Sequence, residues 1–399
     1  MIECDRAREA LAPAFGLAGG AAVAGLERVM KAAAVVPAQR EVRLMEHPEP
    51  ALASPTDVKL RVLEVGVCGT DREIVTFQYG DPPAGSEYLV IGHESLGEVV
   101  EVGAAVTRTR PGDLIVPMVR RPCPRPECGP CRAGRQDFCV TGEFTERGIR
   151  GAHGFMTEFV VDDERFMNVV PPAIRDVAVL TEPLTIAEKA IAEVWKVQQR
   201  LPASRPAEPG HPPGRGQRAV VLGAGPVGLL GAMLLVEAGF QTTVYSRASG
   251  PHDKAGLVRL LGGEYIAAET HTLEQLAAHV GNVDLVYEAS GASRIAFEML
   301  AVLGTNGVFV FTGVPGRKGP VELDTDRIMR NLVLNNQVVF GTVNAGRDAY
   351  EAAIRDLATF AARWPRPLRR LITSRTPLAG APRLLTGEPA GIKSVVTVA

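Results

Sequence analysis

The sequence predicts an α/β chain in two parts, a barrel-like β unit followed by an open, doubly wound parallel sheet. Three observations lead there. Residues 30–166 read as short Val/Leu/Ile-rich runs broken by Gly, Pro and Asp, such as DVKLRVLEVGVCGTD, YLVIGHESLGEVVEVG and PGDLIVPMV. That is the pattern of strands joined by turns. From about residue 185, helical apolar spacing alternates with the strand-like runs RAVVLG, QTTVYSR, DLVYEAS and GVFVFTG, as a parallel sheet with crossover helices requires. Finally, VVLGAGPVG sets G-x-G-x-x-G between a buried strand and a helix.

A chain of 399 residues exceeds one ordinary domain. The expected organisation is an N-terminal extension (1–29), a β domain (30–185 and, returning, 346–399) and a dinucleotide-binding domain (186–345). The first stretch lacks a basic leader and carries Glu3, Asp5 and Glu9, unlike a secretory signal. RLPASRPAEPGHPPGRGQ (residues 200–217) has five prolines and no apolar face, so it reads as an exposed loop. The formal net charge of −2 gives no general attraction to nucleic acid or anionic membrane, and no apolar run is long enough to span a bilayer. Six cysteines in this length are not a disulfide scaffold, and a reducing, cytoplasmic compartment is expected.

The glycine motif comprises Gly223, Gly225, Pro226, Val227 and Gly228. Glycine permits the tight turn and close backbone approach to a pyrophosphate, and the helix N-terminus supplies N–H donors and a positive dipole end. A glycine turn that merely packs is the alternative, but strand and helix stand where the binding mechanism needs them. The adenosine ribose is read about 20 residues later, where NAD sites place an acid. Here the second strand ends in Ser246 and Arg247, without a carboxylate. A hydroxyl and a guanidinium suit a 2′-phosphate, so NADP is expected over NAD.

Four of the six cysteines lie in RPCPRPECGPCRAGRQDFC, as Cys123-x4-Cys128-x2-Cys131-x7-Cys139. Thiolates this close on a loop can close a tetrahedral S4 site, with zinc the usual occupant and no open position left for substrate. The site is therefore expected to be structural. A redox pair would need a thioredoxin-like setting that Cys128 and Cys131 lack. Elsewhere, Cys68 in VCGTD, His93 and Glu94 in IGHES, and Glu182 in LTEPL follow or precede regular elements. Their mixed donors describe a catalytic zinc, but spacing alone does not assemble them, and a buried Cys or His is commonly core filler.

The stretches VGVCGTDREIV, LVIGHESLGEVVEVG, GDLIVPMVRRPC, CRAGRQDFCVTGEFTERGI, HGFMTEFVV, LTEPLTIAEKAI and VVLGAGPVGLL together resemble the zinc-dependent medium-chain alcohol dehydrogenases, and within them the microbial glucose 1-dehydrogenases. They run in order across most of residues 30–345. The resemblance implies a GroES-like β-barrel catalytic domain, an inserted Rossmann domain, and a homodimer or homotetramer. It implies Cys68, His93 and Glu182 as catalytic zinc ligands, with Glu94 ligating directly or through water, and thus two Zn2+ per chain. Thr70 would hydrogen-bond the reacting hydroxyl and relay its proton. Glu143 and Asn344 would hold sugar hydroxyls, Asn344 also touching the cofactor. Residues 1–29 and the Pro-rich loop 199–217 depart from the pattern, and the segment after 345 matches loosely.

The chemistry implied is hydride transfer from an aldose, D-glucose going to gluconolactone, with zinc lowering the hydroxyl's pKa and the nicotinamide taking the hydride. The alternative substrate is another sugar, polyol or cyclitol. A zinc-free reductase of the same fold would lack Cys68, His93 and the four-cysteine lobe, and a non-enzymatic scaffold would need none of them.

Overall fold

The computed structural model describes residues 28–202, 212–247, 253–316 and 319–399. Most of the N-terminal extension and the centre of the Pro-rich loop lie outside these residues.

The first part is organised on one long strand, Asp57–Gly66. It pairs antiparallel with Glu94–Val102, with Phe159–Asp163 and with Lys393–Thr397 near the chain end. The alternation of its inward residues Val58, Leu60 and Val62, all fully buried, is what a strand with one face on a core requires. They pack with Val99, Ile115, Val160, Met167 and Val396. The last strand thus carries residues nearly 330 positions away into the middle of the first sheet. Ile372–Pro377 runs parallel beside it.

The second part holds six parallel strands, Arg218–Leu222, Gln241–Ser246, Glu264–Ala267, Leu285–Glu288, Val308–Phe311 and Val338–Gly341. Numbered in chain order, they lie as 3-2-1-4-5-6. The order reverses beside the first strand, and a crevice opens there beyond the strands' carboxyl ends, where open α/β sheets bind their ligands. The helix Pro226–Glu237 is apolar all round, with Leu229, Leu230, Met233 and Leu235 at 0% exposure. Such a helix must be covered on every side.

Thr181–Gln198 covers it on the side away from the sheet, and Arg347–Arg363 packs in turn on Thr181–Gln198. The sequence-based domain limit at 185/186 falls inside the first of these helices. Leu184, Ala187 and Ile191 pack with Leu63, Leu96 and Val116 of the barrel and with Leu229 and Met233 of the second part, in one continuous core. Burying each such leucine stabilises by about 1.5–3 kcal/mol. Helical periodicity locates this element but does not say which layer it serves.

Candidate active site

Cys68 caps the N-terminus of the short helix Gly69–Ile74, just past the strand Asp57–Gly66. Its amide donates to Asp71 Oδ2 at 2.8 Å. His93 and Glu94 follow Gly92, whose φ of +90° is a left-handed turn. A side chain at Gly92 would come within 2.7–2.8 Å of Met156 and Val65, so the turn that delivers His93 requires glycine. Register then sets Glu94 opposite Gly66. The ligand atoms of Cys68, His93 and Glu94 lie within 4.8 Å of one another.

Glu182 enters from the first turn of Thr181–Gln198 and is 8% exposed. It stands outside that tight trio. Burial pushes its carboxyl up to about 7, with Glu94 and Asp71 adding to the rise and His93 and Lys393 opposing it. For His93, burial pulls the imidazole down, but the Asp71 carboxylate outweighs it and holds it well above 6.5. His93 Nδ1 is 3.3 Å from Asp71 Oδ1, yet the two lack hydrogen-bond geometry and both atoms are unpartnered. Lys393 pairs with Glu94 and donates to the Val67 carbonyl at 3.0 Å. One ammonium and one imidazole thus face three carboxyl groups and a thiol in a buried place. Buried charge on that scale needs compensation. A thiol, imidazole and carboxylate are a donor set that zinc accepts, so the residues fit a metal ion. Thr70, half-buried, sits two residues past Cys68 in the same helix.

The other thiols form a separate lobe. Cys123, Cys128, Cys131 and Cys139 bring their sulfurs within 4.8 Å of one another. At 3.9 Å, Cys128 and Cys139 are far from disulfide length, and all four are free. Burial pushes the Cys131 thiol up to about 12. Burial also raises Cys139, but hydrogen bonds from the Thr141 hydroxyl and the Thr141 and Gly142 amides bring it down to about 6. Four sulfurs this close cannot all ionise without a cation between them. The lobe therefore fits a closed S4 metal site.

Across the crevice, Gly223 has φ +109° and a side chain on it would meet Ser290 at 3.0 Å. One on Gly228 would run into the Gly223 carbonyl. Gly225, the cap of the helix that begins Pro226–Val227, has nothing within 4 Å of where a side chain would be. Among the described residues no neighbour requires that glycine, which leaves room for a phosphate against the helix N-terminus. Ser246 ends the second strand half-buried, and Arg247 beyond it is exposed. Lys254 lies close enough to be pulled below its usual pKa, by burial first and Arg247 second. Sequence reasoning misses this second cation, whose one hint is its position in the first turn of the next helix.

Asn344, at φ +58°, donates through Nδ2 to Glu146 Oε1 at 2.9 Å. The same carboxylate oxygen accepts from Arg120 at 3.0 and 3.1 Å. Glu146 is 6% exposed, and Tyr79, half-exposed, lies near Glu146, Arg120 and Arg150. Glu143 is instead on the cysteine lobe in an exposed pair with Arg125. So the partner brought to Asn344 is Glu146, which sequence reasoning does not single out although TGEFTERGI contains both. Between the two parts runs a cleft of about 410 Å³ lined by Phe138, Lys189, Thr312, Gly313 and Val343.

Residues 175–398 match the glucose dehydrogenase C-terminus family, and residues 54–172 match the alcohol dehydrogenase GroES-like domain. The chain belongs to the glucose dehydrogenase family of the medium-chain alcohol dehydrogenases. A glucose 1-dehydrogenase of Methanocella arvoryzae is 38% identical over 92% of this chain and 99% of its own length. That of Thermoproteus tenax is 41% identical over 88% of this chain and 94% of its own. Among solved structures, the glucose dehydrogenase of Haloferax mediterranei, in complex with NADP, Zn and gluconolactone, superposes with a TM-score of 0.82 at 30% identity, covering 93% of this chain and 99% of that one. The expected barrel and doubly wound sheet are those of this glucose dehydrogenase family. No described helix is long and apolar enough to cross a membrane.

Proposed function

We propose that the chain oxidises D-glucose at its anomeric carbon, transferring hydride to NADP and releasing gluconolactone, with two zinc ions per chain. The observation that carries this reading is the convergence of a half-buried Cys68 with the buried His93 and Glu94 in a chain of this family. The NADP, Zn and gluconolactone held by the Haloferax relative support each component.

Cys68, His93 and Glu94 hold the catalytic zinc, with Glu182 beside them, and the four-cysteine lobe holds the second ion. Zinc, when bound, stabilises negative charge on the substrate oxygen and so lowers the hydroxyl's pKa. NADP, when bound, supplies the hydride acceptor. Asp71 sits against His93 Nδ1, leaving the other ring nitrogen for the metal. Thr70 Oγ1 accepts the hydroxyl proton and passes it outward, its half-exposed position giving that proton a way to solvent. Asn344 and Glu146 hold ring hydroxyls, the carboxylate being already oriented by Arg120. A site built around hydroxyl partners rejects a sugar lacking one by about 10⁴-fold. Ser246, Arg247 and Lys254 take the 2′-phosphate.

The chain works as a homo-oligomer in a reducing compartment. The sixth strand, Val338–Gly341, leaves an open sheet edge, and Met329, Val333 and Leu334 are exposed on the neighbouring helix, a surface that another copy would cover. Free thiols at the described cysteines suit reducing conditions.

The test is reduced-nicotinamide absorbance with NADP and NAD over a panel of aldoses, polyols and cyclitols, before and after chelation. Chelator-sensitive turnover of D-glucose with NADP is expected. Turnover of polyols or cyclitols alone would overturn the sugar assignment while keeping the zinc chemistry.

A further inference from the structure

A second carboxylate hub lies at the crevice, away from both cysteine sites. Glu288 ends the fourth parallel strand, in register with Leu222 and Phe311 on either side, and is 1% exposed. Such burial without a cation demands hydrogen-bond donors. Glu288 has four and, among the described residues, no basic partner. Oε1 accepts from the Ser290 amide and hydroxyl at 2.7 Å each and from the Gly291 amide at 2.8 Å. Oε2 accepts from the Gly313 amide at 3.0 Å. Its backbone carbonyl also takes the Thr312 hydroxyl at 2.6 Å.

One side chain therefore ties together the two turns that follow adjacent strands, residues 289–292 and 312–315. The fit is close. A side chain at Gly291 would meet the Val314 carbonyl at 2.9 Å, and one at Gly313 would strike the Gly291 amide. Both turns border ligand space. Ser290 packs against Gly223 of the glycine turn, while Thr312 and Gly313 line the interdomain cleft.

We infer that Glu288 is a positioning residue for the dinucleotide, holding both turns in the shape that receives its nicotinamide half. This rests on the proposed use of NADP. The four donors need a carboxylate because three sit on one oxygen and one on the other. A glutamine keeps one oxygen acceptor and turns its NH2 toward the remaining amide. The orientation that sacrifices fewest bonds faces Gly313, so Glu288→Gln releases the 312–315 turn selectively.

The experiment is steady-state kinetics and direct NADPH titration on zinc-loaded, full-length protein. Glu288→Gln is expected to raise the NADP KM and the NADPH Kd about tenfold, as the loss of one hydrogen bond to a charged group would, while the sugar KM stays within about twofold and zinc content is unchanged. Gly313→Ala, which disturbs the same hydrogen bond from the other side, should reproduce that split and serves if the first variant does not fold. Unchanged dinucleotide affinity in either folded variant, or an equal rise in the sugar KM, would overturn the inference. If the unaltered protein binds no dinucleotide, it is the NADP reading that fails.

Discussion

The two thiol-bearing sites among the described residues are built in opposite ways. The lobe takes all four ligands from residues 123–139, on a loop with one-turn helices. The Cys68 site draws on residues 68, 93, 94 and 182, delivered by three separate elements. The lobe's donors are alike and close on each other, so a bound ion has no vacancy. The other site mixes thiol, imidazole and carboxyl and is ringed by Asp71 and Lys393. The difference teaches that a set of like donors can be written in one short segment, while a mixed set is assembled by whatever the tertiary fold brings together.

The largest expected effect sharpens that contrast. Cys68→Ala should lower kcat by about a thousandfold or more and leave the melting temperature nearly unchanged, with zinc falling from two ions to one. Metal analysis beside a thermal melt reads both. Cys131→Ala should do the reverse. It removes a closed site's ligand, should cost about 3 kcal/mol or more of stability, and leaves turnover measurable in whatever remains folded. Unchanged melting and zinc content in Cys131→Ala would break the comparison.

Arg247→Ala should raise the NADP KM about 10–100-fold, the effect of losing the charge-assisted hydrogen bond to the 2′-phosphate proposed above, and move the NAD KM less than about threefold. Equal shifts would remove the 2′-phosphate assignment. Among the acidic residues of TGEFTERGI, Glu146→Gln should raise the glucose KM about tenfold. Glu143→Gln, losing only an exposed ion pair, should change it by less than about twofold. The opposite ranking would return the sugar to the lobe.

The smallest effect lies outside both sites. His47 and His153 pack at 4.9 Å between ring centroids. Burial first, then His47 and Arg147, lowers His153 to about 4, and burial lowers His47 as well. These two rings thus bind fewer protons in the folded state than in the unfolded chain, so their own contribution to stability is whole above pH 6.5 and declines as pH falls from there toward 4, while the raised carboxyl of Glu182 contributes in the opposite sense. In thermal melts across that window the unaltered protein should lose stability relative to His153→Gln as pH falls; a constant difference between the two would remove this assignment.

What can be read along the chain is what short-range chemistry requires. Four thiols in one loop, a glycine turn between strand and helix, and the strand-then-helix alternation each depend on neighbours a few residues apart. Lys254, Glu146 and Glu288 are not legible there, because nothing local separates them from surface charges. Glu146 matters through Asn344, 198 positions on. Lys393 matters through Glu94, nearly 300 positions earlier.

The sequence by itself determined the two-part α/β class, the thiol lobe and the glycine turn between strand and helix, since periodicity, spacing and backbone freedom are local properties. Only the tertiary structure decided that Cys68, His93 and Glu94 meet, that Glu146 rather than Glu143 reaches Asn344, and that a helix spanning the domain limit joins both cores. Those outcomes depend on strand register and on which face burial selects. Both are settled by the free energy of packing the whole chain, which no short segment carries.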